Sequence, residues 1–335
     1  MWRLGAIIIF IKEYGHLIMI DLSKTEIVAN FDFGTAVDAI KDSYIAASNK
    51  AVTLPPVGHI EFPQSNGDCH IKAGHIHGQR AFVIKIATGF YNNPKQGLPS
   101  SNGMMVAFSA MTGEPLAVLK DEGWLTDMRT GIGGALATRA LSRPDAQRVL
   151  ILGAGLQCLF QAECLENLSP EPLDYVIWGR SMQKAEVAAK QLVGLGLKAR
   201  SVENLQDAVA NAEIIITTTP STKPLIAADW VRPGTHITAI GADCIGKQEL
   251  ETGLVLKADL AVCDLIGQSL DHGEFQHAQS SGKLSNLVEL GQILSETHPG
   301  RPAKNAITIS DLTGIAPQDI AITGAVLNEF TAKAE

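Results

Sequence analysis

The apolar run Val149-Leu150-Ile151-Leu152, followed at once by Gly153-Ala154-Gly155-Leu156-Gln157, constrains this chain more than any other stretch. A continuous apolar run of this length suits a strand buried on both faces of a parallel sheet. A glycine turn after such a strand, opening a helix, is a cradle for a pyrophosphate. The glycines let the backbone approach the phosphates, and the helix N-terminus offers free N–H groups and a favourable dipole. The common fingerprint carries a third glycine or alanine three residues after the second. Here Cys158 holds that place, with Gln157 before it. Gly153, Ala154, Gly155, Leu156 and Gln157 are therefore expected to contact a dinucleotide through a variant of the motif.

The pattern around this motif agrees with it. Residues 126–141 read as an Ala- and Gly-rich helix. Strands are then expected at 149–153, 174–178, 197–202, 213–218, 235–240 and 259–263, with helices at 156–168, 182–194 and 204–211. Such alternation predicts an α/β fold, a Rossmann-like doubly wound parallel sheet with right-handed crossovers. Upstream, 52–62, 69–76, 81–88 and 104–110 read as strands of a mixed or antiparallel sheet, and 35–48 as an amphipathic helix. Thr112-Gly113-Glu114-Pro115 is a turn between two of the strands. The chain closes on a short strand from 307 and a helix over 317–332.

Composition narrows the function classes. The 335 residues are 46% hydrophobic and 19% charged, as expected of a folded globular protein. A net charge of −8 argues against nucleic acid as the main partner. Five cysteines are scattered without CxxC spacing, which suggests neither a disulfide framework nor a zinc site, and points to a reducing, cytoplasmic setting. The apolar run from Leu4 to Ile11 is too short to span a bilayer. Residues 1–18 read as an extension, with the protein proper starting near Met19, and no membrane association is expected.

Several polar residues then stand out. Where an NAD-preferring enzyme usually carries an acid for the ribose, the second strand ends in Gly179-Arg180-Ser181. A guanidinium suits a 2′-phosphate, so Arg180 and Ser181 predict NADPH preference, with NADH still usable. Thr217-Thr218-Thr219-Pro220 and Ile240-Gly241-Ala242-Asp243 fall at the carboxyl edge of the sheet, where open α/β folds bind ligands. Thr218 and Gly241, with Thr130, are counted among the cofactor contacts. Asp243 is placed for acid chemistry; an aspartate there is also expected as an N-cap before a helix over 246–250, and the two roles are not exclusive. Lys72 and Lys85 lie in strand-like segments and Arg129 at the junction of the two regimes. A lysine in an apolar strand needs a partner, either a substrate carboxylate or an internal acid. Together the three cations would anchor a carboxylate. The spacing of His59, His70, His75 and His77 matches no helical HxxxH or zinc pattern, so no metal site is expected.

Arg129-Thr130-Gly131 with its Ala-rich helix, the Gly153-to-Gln157 turn and Gly241-Ala242-Asp243-Cys244-Ile245-Gly246-Lys247 together resemble the ornithine cyclodeaminase/mu-crystallin family, from about Met19 to the end. The resemblance implies homodimers with a Rossmann domain, here 126–306, and a second α+β domain built from both chain ends, here 19–125 with 307–335. It also implies hydride transfer between nicotinamide C4 and the α-carbon of an amino or imino acid. Lys85 and Arg129 match the family's carboxylate-binding pair, and Asp243 its acid. Many members carry an arginine two residues after a proline in the first sheet. Pro56-Val57-Gly58 lacks it, and Lys72 stands as a substitute. His70-Ile71-Lys72 and the 89–94 and 100–103 segments resemble imino-acid reductases, whereas the aspartate motif is nearer the ornithine cyclodeaminase form, with Ile245 in place of its proline. The expected activity is reduction of a cyclic imino acid, Δ1-pyrroline-2-carboxylate to L-proline or its six-membered homologue to L-pipecolate, with Asp243 and Lys85 as catalytic groups. Ornithine cyclodeamination with NAD+ is the alternative. A non-catalytic binding role, as in mu-crystallin-like members, is disfavoured by the joint presence of Lys85, Arg129 and Asp243.

Overall fold

The computed structural model describes residues 12–13, 16–17, 19–279, 284 and 287–334. The apolar run 4–11, and with it most of the extension 1–18, lies outside the described residues. The chain divides into two units, Met1–Arg129 with Ala316–Glu335, and Thr130–Ile315.

Apolar runs build the second unit. Its parallel sheet has the strand order Lys198–Ser201, Asp174–Trp178, Arg148–Leu152, Ile214–Thr217, His236–Ala239, Thr308–Asp311, Leu260–Cys263 and Val288–Glu289. Val149 to Leu152 and Ile214 to Ile216 are buried, as central strands covered on both sides must be. Ser181 and Asn204 start two of the crossover helices by accepting from the backbone N–H of Lys184 and Asp207. The order reverses between Arg148–Leu152 and Ile214–Thr217, so the glycine turn falls at the topological switch point.

Three expectations change here. Thr308–Asp311 pairs in parallel with both His236–Ala239 and Leu260–Cys263, and all four of its residues are buried. It belongs to the parallel sheet, so the expected boundary at 307 moves to Ala316. The boundary expected at 126 moves to Thr130, within the single helix Trp124–Leu141. Residues 246–250 are not helical. Gln248–Leu250 is a strand paired with Thr222–Ile226, so no helix follows Asp243 for it to cap.

The first unit is a mixed sheet in the order Ile20–Ser23, Pro115–Lys120, Ser101–Ser109, Ala81–Phe90, Gly67–Ile76 and Val52–Thr53, with Gly58–Phe62 also pairing on Gly67–Ile76. The strand expected over 52–62 breaks after Thr53, because Pro55 and Pro56 have no N–H to give a ladder. One sheet face holds Val83, Lys85, Met105 and Ala107, and is covered by the helices Phe33–Ser48 and Ala316–Ala334. The opposite face carries Ile60, Ile71, Ile84, Ile86, Met104 and Val106, all half-buried or exposed.

Candidate active site

The dinucleotide cradle is built from residues with little room to vary. Gly153 has φ of +118°, where side chains are strained, and a Cβ there would lie 2.3 Å from Thr218 Oγ1. Thr218 is itself fixed to the strand end, its N–H and hydroxyl both donating to Leu152 O at 2.8 and 3.1 Å. Gly155 is the N-cap of the helix Leu156–Leu168. No side chain caps that helix, and the space where a Gly155 Cβ would stand is open. An uncapped helix start beside open space fits a pyrophosphate. Cys158, in the place of the third glycine, is buried. Close helix packing is supplied instead by Gly131 and Gly134, where a Cβ would lie 2.8 Å from Cys164 Sγ and 2.0 Å from Gln161 Oε1. Gln161 donates to Thr130 O at 3.0 Å and to Gln157 Oε1 at 3.2 Å, tying two predicted cofactor residues together. Arg180 is exposed at the end of the second strand. The Ser181 hydroxyl is engaged in capping its helix.

At the carboxyl edge a residue not singled out in the sequence organises the loops. Glu249 is fully buried, and its carboxylate accepts four hydrogen bonds. Oε1 receives Thr219 N–H at 2.6 Å and Thr219 Oγ1 at 2.7 Å, and Oε2 receives Thr217 Oγ1 at 2.6 Å and Gly241 N–H at 2.9 Å. Burial raises its pKa and the four donors pull against that rise. Glu249 thus clamps the loops that carry Thr218 and Gly241. Asp243 lies beyond the clamp, exposed, with Lys247 Nζ 2.6 Å from its Oδ1. A cavity of about 340 Å³ elsewhere in this unit, beside Arg148, Asp174 and Arg200, contains none of the predicted site residues.

The first unit holds the cations. Lys85 donates to Asp319 Oδ1 at 3.0 Å, and Arg129 Nε lies 3.1 Å from the same oxygen. All three side chains are buried. The internal acid that a strand lysine demands is therefore Asp319, one turn into the last helix. Arg129 also donates to Gln318 Oε1 at 3.1 Å, and Gln318 donates to Tyr44 Oη at 2.9 Å. Lys72 sits directly opposite Lys85 in the strand register. Burial, with Arg129 and Lys72 nearby, pulls Lys85 down to about 7, while Asp319 works against that shift. Burial pushes Asp319 upward, but Lys85 and Arg129 outweigh it and hold the carboxyl below its usual range. Asp121, whose carboxylate accepts Leu125 N–H at 2.8 Å, also feels Lys85. Lys85 and Arg129 thus converge on the single carboxylate of Asp319, and with both cations protonated this cluster carries the excess positive charge that suits an anion. The sequence says little about Gln318 and Asp319 beyond their position in Thr313-Gly314-Ile315-Ala316-Pro317-Gln318-Asp319.

Residues 19–334 match the family model described as the ornithine cyclodeaminase/mu-crystallin family. A Rhizobium meliloti protein described as a dehydrogenase is 41% identical over 291 residues, 86% of this chain and 88% of its own. The Δ1-pyrroline-2-carboxylate reductase of Bacillus cereus is 31% identical over 277 residues, 81% of this chain and 84% of its own. An archaeal alanine dehydrogenase, solved as a dimer with bound NAD, superposes with a TM-score of 0.85 at 29% identity. That match covers 95% of this chain and 97% of the other.

Proposed function

The chain belongs to the ornithine cyclodeaminase/mu-crystallin family, and from that premise we propose that it is an NAD(P)H-dependent reductase of a small cyclic imino acid, with Δ1-pyrroline-2-carboxylate, reduced to L-proline, as the leading substrate. The observation that carries the reading is the buried cluster of Lys85 and Arg129 on Asp319, with its excess of positive charge. Such a cluster fits a carboxylate next to the reacting carbon. The similarity to a Δ1-pyrroline-2-carboxylate reductase supports the five-membered ring.

When bound, the nicotinamide supplies the hydride. Lys85 and Arg129, with Lys72 beside them, hold the substrate carboxylate and fix the orientation of the C=N carbon, which is much of the catalysis. Lys85, poised near neutrality, also serves as a proton-holding group. Asp243 donates a proton to the imine nitrogen or stabilises the iminium that forms. Arg180 binds a 2′-phosphate and favours NADPH over NADH. Five thiols without a disulfide are in keeping with a reducing, cytoplasmic setting. No helix among the described residues is long and apolar enough to cross a membrane. The open apolar sheet face of the first unit supports pairing with a second copy.

One assay tests the reading: NADPH oxidation with the five- and six-membered ketimines, run beside ammonia release from ornithine. Net NADPH consumption with a ketimine is expected, with NADH slower. Ammonia release from ornithine without net consumption of cofactor would identify a cyclodeaminase instead. An NADH preference of tenfold or more would overturn the role of Arg180.

A further inference from the structure

The histidines that no spacing rule connects in the sequence are brought together by strand pairing. His59 lies in Gly58–Phe62 and faces His70 in Gly67–Ile76, while Glu61 faces Asp68. Asp68 and His70 are two residues apart on one strand, so both point to the same face. Ligand atoms of His59, Asp68 and His70 all lie within 4.8 Å of one another. The two imidazoles stack at 4.5 Å with 20° between their planes. Asp68 Oδ1 lies 3.8 Å from His70 Nε2, and Glu61 Oε1 lies 4.0 Å from His59 Nδ1.

From this arrangement we propose that His59, Asp68 and His70 form a binding site for a divalent transition metal of the zinc class. Two imidazoles and a carboxylate are a donor set that zinc accepts, with the fourth position left to water or another oxygen. Ligands at about 2.0 Å in tetrahedral geometry stand about 3.3 Å apart, so closing the site requires the stacked rings to turn until their nitrogens converge on the ion.

The surroundings hold the carboxylate ready. The Tyr91 hydroxyl donates to Asp68 Oδ2 at 3.1 Å, leaving Oδ1 on the side of His70. Such outer hydrogen bonds orient metal ligands and raise affinity. Gly89 stands opposite Asp68, and a Cβ there would lie 3.0 Å from Asp68 Oδ1 and 3.1 Å from Tyr91 Oη. Its lack of a side chain leaves room for this pair. His75 and His77 are not part of the cluster. His75 bonds to Gln79 O at 2.9 Å, and His77 bonds to Thr53 Oγ1 at 3.0 Å. The inference does not rest on the reductase reading, since no step of that reaction uses the metal.

The test is calorimetric titration of Zn2+ into the chelator-treated full chain, with Co2+ absorption as the spectroscopic readout. One ion per chain is expected, with His59→Ala and His70→Ala each weakening binding by tenfold or more and abolishing the Co2+ ligand-field bands. Tyr91→Phe should weaken binding several-fold, and the His75→Ala/His77→Ala double variant should bind as the parent does. His59 is exposed, so His59→Ala decides the matter even if His70→Ala fails to fold. Absence of saturable one-to-one binding, or binding unchanged in His59→Ala, overturns the proposal.

Discussion

At Lys85, burial and the neighbouring Arg129 guanidinium bring an ammonium from its ordinary 10.5 down to about 7. The sign of the resulting pH dependence follows. Below about 7 the side chain is charged and, in the role proposed for it, would hold a substrate carboxylate; above it the charge, and with it that grip, is lost. The plot of kcat/KM against pH reports groups of the free enzyme. It should fall as pH rises past about 7, toward tenfold per pH unit. Lys85→Arg keeps its charge, so its profile should lack this limb even if its rate is lower, and the same limb persisting in Lys85→Arg would assign it elsewhere. The imine substrate also titrates, and comparing the two profiles removes that contribution. For Asp243 the expected result is different. Asp243→Ala should lose most of kcat while NADPH affinity, read by fluorescence titration, stays within a few-fold, because the side chain is exposed and outside the Glu249 clamp. Near-normal turnover would remove Asp243 from the chemistry.

At the scale of the element, the glycine turn was legible because its constraint is local. Gly153 needs a positive φ and close approach to Thr218, and a strand–glycine–helix sequence has few other uses. The clamp beneath it was not legible. Glu249 lies 32 residues beyond Thr217, and only the pairing of Gln248–Leu250 with Thr222–Ile226 brings its carboxylate to the strand ends. A lone Glu beside a leucine gives no sign of that. The histidine cluster was hidden for the same reason, since its ligands come from two strands that meet only in the folded sheet. Glu249→Gln tests the clamp. Its amide group would turn a donor toward N–H and O–H groups that are themselves donors, and a buried mismatch of this kind costs about 1–3 kcal/mol. The midpoint of urea unfolding should fall accordingly. NADPH affinity should weaken with it, because Thr218 and Gly241 both border the loops the carboxylate holds. Unchanged stability with unchanged affinity would mean that the loops hold their shape without Glu249.

On the scale of the whole molecule, the alternation of strands and helices was enough to foresee the parallel sheet, whereas Thr308–Asp311 was grouped with its sequence neighbour rather than its sheet. A strand of four residues carries no periodicity of its own, and only its insertion between His236–Ala239 and Leu260–Cys263 assigns it. The mixed sheet raises a separate question about assembly. Helices cover one of its faces, but Ile60, Phe62 and Met104 on the other are 47%, 38% and 38% exposed, beside the half-buried Ile71, Ile84, Ile86 and Val106. Isolated exposed apolar residues are ordinary, but a continuous apolar sheet face marks an association surface. A second copy is the natural cover, because a two-fold axis lays one such face against its twin without needing a complementary patch elsewhere. Introducing Ile60→Asp together with Met104→Glu places two pairs of like charges in that contact. Sedimentation velocity should then shift from twice the chain mass of 35.7 kDa to the single-chain value. Stable dimer interfaces typically bury roughly 1,200–2,000 Å² or more, and a parent paired through this face is expected to stay paired at micromolar concentration. A parent that sediments as a single chain at that concentration would refute pairing through this face. A double variant that stays paired would place the contact on another surface of the molecule.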